Sequence, residues 1–396
     1  MLYFSSSKKI LLLAICLLGF FLALPNFWNI SLPFIPKQTI NLGLDLRGGS
    51  YLLLEVDTNS IKKDKAQSLV EDIRSSLRKD KIKYIGLRVL PDGAEVKIQN
   101  NSKITDAKNI IESLNNSTSA NIFNSRNSDE FSLDEEEGIF KVTLNENSLN
   151  EKYRLAVSQS IEIIRHRIDG LGVTEPSIQR QGNNRILLEV PGLDDPQRLK
   201  DLLGQTAKLN FRMVDTSISV GEAVRTRVPS RAEIISDSEG FEYLVMKKVL
   251  VSGERLVDAQ ASFDATTNSP VVNFRFDTVG GKYFAKATSG NVGKPFAIIL
   301  DNEVISAPVI RSPILGGSGQ IEGGFSVEEA NNLAILLRAG ALPAPLEILE
   351  EKTIGPGLGE DSIQSGKLAT IVGLIGVLIF IILSYGRFGI YANFAL

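Results

Sequence analysis

Three patterns in the sequence predict an α+β protein held to a membrane at both ends. Residues 42–57 alternate at period two, as a strand with one buried face does. Strand-like and helix-like segments then follow one another in an order that occurs twice. Apolar runs able to cross a hydrocarbon core lie near each terminus.

At 396 residues the chain is too long for one ordinary core, so two or more domains are expected. A formal net charge of -3 gives no electrostatic case for nucleic acid. Cys16 is the only cysteine and His166 the only histidine. That excludes a disulfide framework and Cys- or His-rich metal sites, and it weakens any hydrolytic triad. No cofactor, metal or enzymatic activity is expected.

Residues 1–9 read as a cytoplasmic tail and 10–28 as a first transmembrane helix of roughly 28 Å. Lys8 and Lys9 place the amino terminus in the cytoplasm, and Trp28 suits the far interface. A cleaved signal peptide is the alternative, but Leu22-Ala-Leu-Pro25 lacks a small-x-small site.

In the strand at 42–57, Leu42, Leu44, Leu46, Leu52, Leu54 and Val56 share one side, while Asp45, Arg47, Tyr51, Glu55 and Asp57 share the other. Gly48 and Gly49 interrupt it in register, which predicts a bulge or bend. Asp45 and Arg47 are read as tying that bend rather than as an acid–base pair. A helix over 61–79 follows, then a hairpin over 84–99 around Pro91-Asp-Gly93, and a helix over 103–114. Residues 115–130 and the acidic run 134–137 read as an exposed loop.

The order then recurs: a strand over 139–144, a helix over 151–169, a hairpin over 173–190 around Gly182-Asn-Asn184, and a helix capped by Asp195 with Pro196 at its first position. Residues 207–214 return as a strand. Two β-α-β-β-α units of this kind resemble ferredoxin-like subdomains, which makes residues 38–215 a duplicated base. His166 falls on the polar flank of its helix and is read as solvated.

Residues 216–342 are expected to form a second, inserted α+β domain, a head. It has strands over 257–263 and 271–276, a helix near 280–287, a hairpin about Asp301-Asn302, and a helix opened by the capping box Ser326-Val-Glu-Glu329. Pro343 and Pro345 stiffen the connector after it. Residues 343–366 return to the base as an edge strand and a linker. Residues 367–386 are a second transmembrane helix, and 387–396 a cytoplasmic turn and the start of a third. No phosphate-binding loop is present; Gly355-Pro-Gly-Leu-Gly359 is glycine-rich without the strand-to-helix turn such a loop needs.

Gly43-Leu-Asp-Leu-Arg-Gly-Gly49 resembles the first signature of the SecD family of protein-export membrane subunits. Residues 168–175 with Val190-Pro-Gly192, residues 293–308, 325–345 and 350–359 leading to Ser362 match that family in order and spacing. The resemblance implies signature positions at Gly43, Asp45, Arg47, Gly48, Gly49, Pro343, Pro345, Gly355 and Gly359, structural or hinge-like rather than catalytic. It implies a multi-pass protein of the bacterial inner membrane with a large periplasmic region. Its partners would be SecF, the SecYEG channel with its accessory subunits, an unfolded preprotein and membrane lipid. A membrane-tethered binding or chaperone module without energy coupling, and a small-molecule exporter of the same resistance-nodulation-division superfamily, are the competing readings. The resemblance implies four more membrane helices beyond these, with a proton-coupling Asp in the fourth helix overall. Neither apolar core, 10–24 or 368–383, contains Asp, Glu, Lys, Arg or His, so a fragment, a split frame or a trimmed chain is expected, with energy coupling supplied elsewhere.

Overall fold

The computed structural model describes residues 10, 11, 14, 15, 48–117, 129–173, 176–193, 195–354 and 356–395. Chain contacts divide it into two compact units, Gly49–Thr353 and a second made of Met1–Gly48 with Ile354–Leu396.

The larger unit opens with β1 (Gly49–Val56) and α1 (Thr58–Lys79). Asp57 caps α1 by accepting from the Asn59 and Ser60 amides at 3.0 and 3.2 Å. Ala66, Leu69, Val70, Ile73 and Leu77 recur every three to four residues and are its buried face. Removing each larger one from water contributes about 1.5–3 kcal/mol. That face covers a sheet of β2 (Tyr84–Leu90), β3 (Gly93–Ile98), β4 (Phe131–Glu136) and β5 (Ile139–Leu144), ordered β2-β3-β5-β4 and antiparallel throughout. Helix α2 (Ile104–Ser117) adds Ala107 and Ile111 to the same core. The acidic run at 134–137, expected in a loop, lies mostly in β4. Phe131 and Leu133 turn inward while Ser132, Asp134 and Glu136 face water, an arrangement an edge strand tolerates. Only Glu137 and Gly138, both at positive φ, make the turn.

β1 is absent from that sheet. It pairs antiparallel with β7 (Arg185–Pro191), from Gly49 opposite Pro191 to Glu55 opposite Arg185. With β6 (Ser177–Gln181) and β16 (Leu346–Ile354) the order is β16-β1-β7-β6, so the edge strand expected to return near 347–354 does return. Helices α3 (Glu146–Gly170) and α4 (Pro196–Gly204) belong to this layer. Leu52, Leu54, Ile164, Ile168, Ile186, Leu188, Leu199 and Leu342 meet in its core. Asp195 caps α4 with Pro196 in the first turn, as the sequence predicts.

The remaining elements include those expected to form the head. They are β8 (Leu209–Val214), α5 (Val220–Arg225), β9 (Ala232–Ser236), β10 (Glu242–Ser252), β11 (Leu256–Phe263), β12 (Pro270–Phe276), α6 (Thr278–Ser289), β13 (Phe296–Leu300), β14 (Glu303–Ser306), β15 (Ser318–Ile321) and α7 (Val327–Ala339). They build a five-stranded sheet, β14-β13-β8-β10-β9, and a three-stranded one, β11-β12-β15. Strand β8, expected to close the base, is instead the middle strand of the five. Its alternation identifies Leu209, Phe211 and Met213 as buried but not the sheet that buries them.

In the second unit, α8 (Pro356–Tyr385) contains the stretch Ile363–Tyr385, of mean hydropathy 2.6, long and apolar enough to cross a membrane. Gly386, at φ 56°, turns the chain, and α9 (Arg387–Ala395) folds back on α8. Asn393 Nδ2 donates to the Leu378 carbonyl at 3.0 Å. A Cβ on Gly389 would lie 2.4 Å from the Ile381 oxygen, so only glycine permits this approach. Of the first apolar run, 10–28, residues 10, 11, 14 and 15 are helical and the rest lies outside the described residues.

Candidate functional site

The head encloses a cleft of about 920 Å³. Its backing is aromatic, because alternate positions of β8, β12 and β13 and the inner face of α6 all present phenylalanine to one core. The rings of Phe274, Phe276, Phe284 and Phe296 lie 5.4–5.8 Å from that of Phe211. Such tilted and edge-on pairs add about 0.5–1.5 kcal/mol each beyond their burial. None of the five is more than 5% exposed, so they stiffen the cleft rather than open onto it. Gly319 on β15 allows this packing: a Cβ there would lie 2.6 Å from Phe274 Cζ.

One wall is the hairpin turn after β11. Asp264 accepts from the Thr266 and Thr267 amides at 2.9 and 2.8 Å and from Thr267 Oγ1 at 3.0 Å. The Thr267 amide above all holds its carboxyl below the ordinary aspartate range. The opposite wall is the extended segment 306–312. Phe296 donates to the Pro308 carbonyl at 2.9 Å and Ile310 to the Lys294 carbonyl at 3.1 Å, which ties the wall to the start of β13. Beyond it, the fully buried Thr288 hydroxyl donates to the Phe284 carbonyl and accepts from the Ile314 amide at 3.0 Å. β14 and β15 are each the last strand of their sheet, and both contribute residues to the cleft. The reachable apolar surface of the lining is Val309, 53% exposed. Backbone, hydroxyl and apolar groups at this density suit adhesion to a polypeptide more than bond-breaking chemistry.

The signature residues separate into four groups. Gly43, Asp45, Arg47 and Gly355 lie outside the described residues. Gly48 and Gly49 have φ of 72° and 135°, the bend their position predicts. Pro343 and Pro345 sit in a connector that is packed rather than loose. Leu342 and Ala344 beside them are buried, the Leu342 amide donates to the Thr206 carbonyl at 2.7 Å, and Pro345 accepts from the Asp57 amide at 3.0 Å. Gly359 lies within α8. His166 is exposed, as its helical position predicts.

Sequence reasoning missed Arg167. It is fully buried on α3, and its guanidinium donates to the carbonyls of Leu202, Gln205, Thr206 and Gly340. Burial pulls its pKa down to about 10, against the opposing charge of Asp301. The signal was in the spacing. Val157, Ser160, Ile164, Arg167 and Ile168 share one helical face, all buried.

Three family models match the chain. The family described as "SecDF, P1 head subdomain" matches residues 227–344, "Protein translocase subunit SecDF, P1 domain, N-terminal" matches 157–216, and "SecD/SecF GG Motif" matches 34–60. The chain is 43% identical over 389 residues to Protein translocase subunit SecD of Rickettsia bellii (strain RML369-C), covering 98% of this chain and 73% of that one. It is 44% identical over 398 residues to the same subunit of Acetobacter pasteurianus (strain NBRC 105184 / IFO 3283-01), covering 100% of this chain and 74% of that one. Among solved structures, SecDF in a super-membrane-facing form aligns at 29% identity and TM-score 0.48, over 95% of this chain and 39% of that one. A structure of the membrane component SecDF that enhances protein export aligns at 38% identity and TM-score 0.41, over 50% of this chain and 92% of that one. The chain belongs to the SecD family of protein translocase subunits.

Proposed function

We propose that this SecD chain sits in the bacterial inner membrane, with α8 among the membrane lipids and the large unit on the periplasmic side. There it works beside SecF and the SecYEG channel, and the head takes hold of unfolded preprotein as it emerges. The observation that carries this reading is the head cleft. Strands at the end of two sheets meet an apolar rim there, so an extended chain of any sequence can be held by its backbone and by scattered apolar side chains.

The base is read as two ferredoxin-like units that share strands. In sequence order they are β1-α1-β2-β3-α2-β4 and β5-α3-β6-β7-α4-β16. The sheet orders β4-β5-β3-β2 and β16-β1-β7-β6 support this reading, since each runs fourth, first, third, second if the two first strands are exchanged between the units. The moving part is then the 216–342 head together with β8.

The test places a photoreactive residue at Val309 or Gln320, in membranes carrying SecF, SecYEG and a preprotein stalled in transit. Cross-links to the preprotein are expected there, and not from Lys141 on the outer face of β5. Equal labelling at all three positions, or none in the cleft, overturns the reading.

A further inference from the structure

Two stretches of chain join base and head, one between Gly204 of α4 and Leu209 of β8, the other between Ala339 of α7 and Leu346 of β16. A single side chain holds both. Arg167 donates from Nη1 to Leu202 O at 2.5 Å and Gln205 O at 2.6 Å, and from Nη2 to Thr206 O at 3.3 Å and Gly340 O at 3.4 Å. Leu202 and Gln205 end α4, and Gly340 ends α7. The guanidinium therefore lies where two helix C-termini present their unpaired carbonyls. A positive charge is favoured there even without a carboxylate partner.

Thr206 is the node of the arrangement. Its carbonyl accepts from Arg167 and also from the Leu342 amide at 2.7 Å, which ties the outgoing stretch to the returning one. Its hydroxyl donates to Asp301, in the turn between β13 and β14. Asp301 in turn accepts from the Ala207 and Lys208 amides, both at 2.8 Å. Base helix, outgoing chain, returning chain and head hairpin thus meet in one polar cluster.

A buried arginine that only filled space would have no need of this placement. Arg167 touches the chain at both points where it crosses between base and head. We infer that Arg167 is the positioning residue that sets the head's orientation on the base, with Thr206 and Asp301 as its counterparts. The head leaves that orientation only by giving up the cluster as a group, so it occupies discrete orientations rather than swaying. This rests on the reading of head and base as separate bodies, not on what the cleft binds.

The test uses the full chain in membranes, with Cys16→Ala and the cysteine pair Gly170→Cys and Ile335→Cys. These positions bridge α3 and α7, where a Cβ on residue 170 would lie 3.5 Å from Ile335 Cβ, within disulfide reach. The rate of disulfide closure reports how often the two elements are in register. Arg167→Met is expected to slow closure about tenfold, and Arg167→Lys, which keeps the charge between the helix ends, to recover part of the rate. Should Arg167→Met fail to fold, Thr206→Val and Asp301→Asn decide, each expected to slow closure severalfold with Arg167 in place. Wild-type closure in Arg167→Met, or in both of the latter variants, overturns the inference. No preprotein enters the measurement, so failure of the cleft reading would leave its outcome unchanged.

Discussion

Gly170, the last residue of α3, lies so close to Ile335 of α7 that a Cβ on it would stand 2.9 Å from Ile335 Cγ2 and 3.0 Å from Cγ1. Helix propensity alone would make Gly170→Ala stabilising by up to about 1 kcal/mol. Ile335 is 8% exposed and has little room to retreat, and overpacking of this kind costs about 1–3 kcal/mol. Contact outweighs propensity. Gly170→Ala is therefore expected to lower stability, and to do so much less in an Ile335→Ala background. Denaturant midpoints of the four chains in this cycle measure the coupling. Additive effects would show that Ile335 is not what excludes a side chain at 170.

The bend at the start of β1 supplies a second prediction. Gly49 pairs with Pro191 while holding φ at 135°, and Gly48 before it holds 72°. A β-branched residue is strained in that backbone region. Gly49→Val should destabilise the base by about 1–3 kcal/mol. Because β1 is an inner strand of its sheet, the loss should appear as a lower thermal midpoint for the whole base rather than fraying. An unchanged midpoint would remove the bend as a structural requirement.

The elements most legible in the sequence were those whose cause is local. Asp195 and Ser326 each cap the helix that follows, through side-chain oxygens placed next to the chain they serve. Sheet membership was less legible, since alternation is the same whichever neighbour a strand finds. That is why β8 was assigned to the base. Strand β10 escaped altogether: Lys247, Lys248 and Val249 are exposed in succession, and the strand shifts register against β8 between Val245 and Val249 and again before Val251. Arg167 was hidden by its neighbours. Between Arg165 and His166 on one side and Asp169 on the other it reads as part of a polar flank, and the carbonyls that satisfy it are 35 to 173 residues away. The cleft was not legible either, because its phenylalanines come from β8, β12, α6 and β13 and meet only in three dimensions.

A pH prediction follows from Asp215, which directly follows β8 and is buried. Hydrogen bonding by Ser217 first, then by Arg231 with Nε 3.0 Å from Oδ2, holds its carboxyl below the ordinary aspartate range. A depressed folded-state value means stability that is present above the unfolded pKa and lost as pH falls through the folded one. Asp215→Asn should thus be less stable than the parent at neutral pH by about 1–3 kcal/mol. The difference should begin to shrink below about pH 4, where the unfolded chain takes up the proton, and close only below the depressed folded value. Urea midpoints at the two pH values test this, and a gap independent of pH would show that the charge contributes nothing.

The Gly170/Ile335 cysteine pair also tests whether the head must move. Helix α3 carries Gly170 and helix α7 carries Ile335, so a closed disulfide joins base to head beside the Arg167 cluster. Only two stretches of chain connect the two parts, and the returning one is stiffened by Pro343 and Pro345 and packed through Leu342 and Ala344. Any reorientation must therefore turn about the region that the disulfide would freeze. In membranes with SecF and SecYEG, oxidation of the pair is expected to stop export assisted by this chain, and reduction to restore it. The same chain with either cysteine alone should be indifferent to oxidant. Unimpaired export with the disulfide quantitatively closed would mean that head and base act as one rigid body, and the cleft would then have to hold or release preprotein without turning.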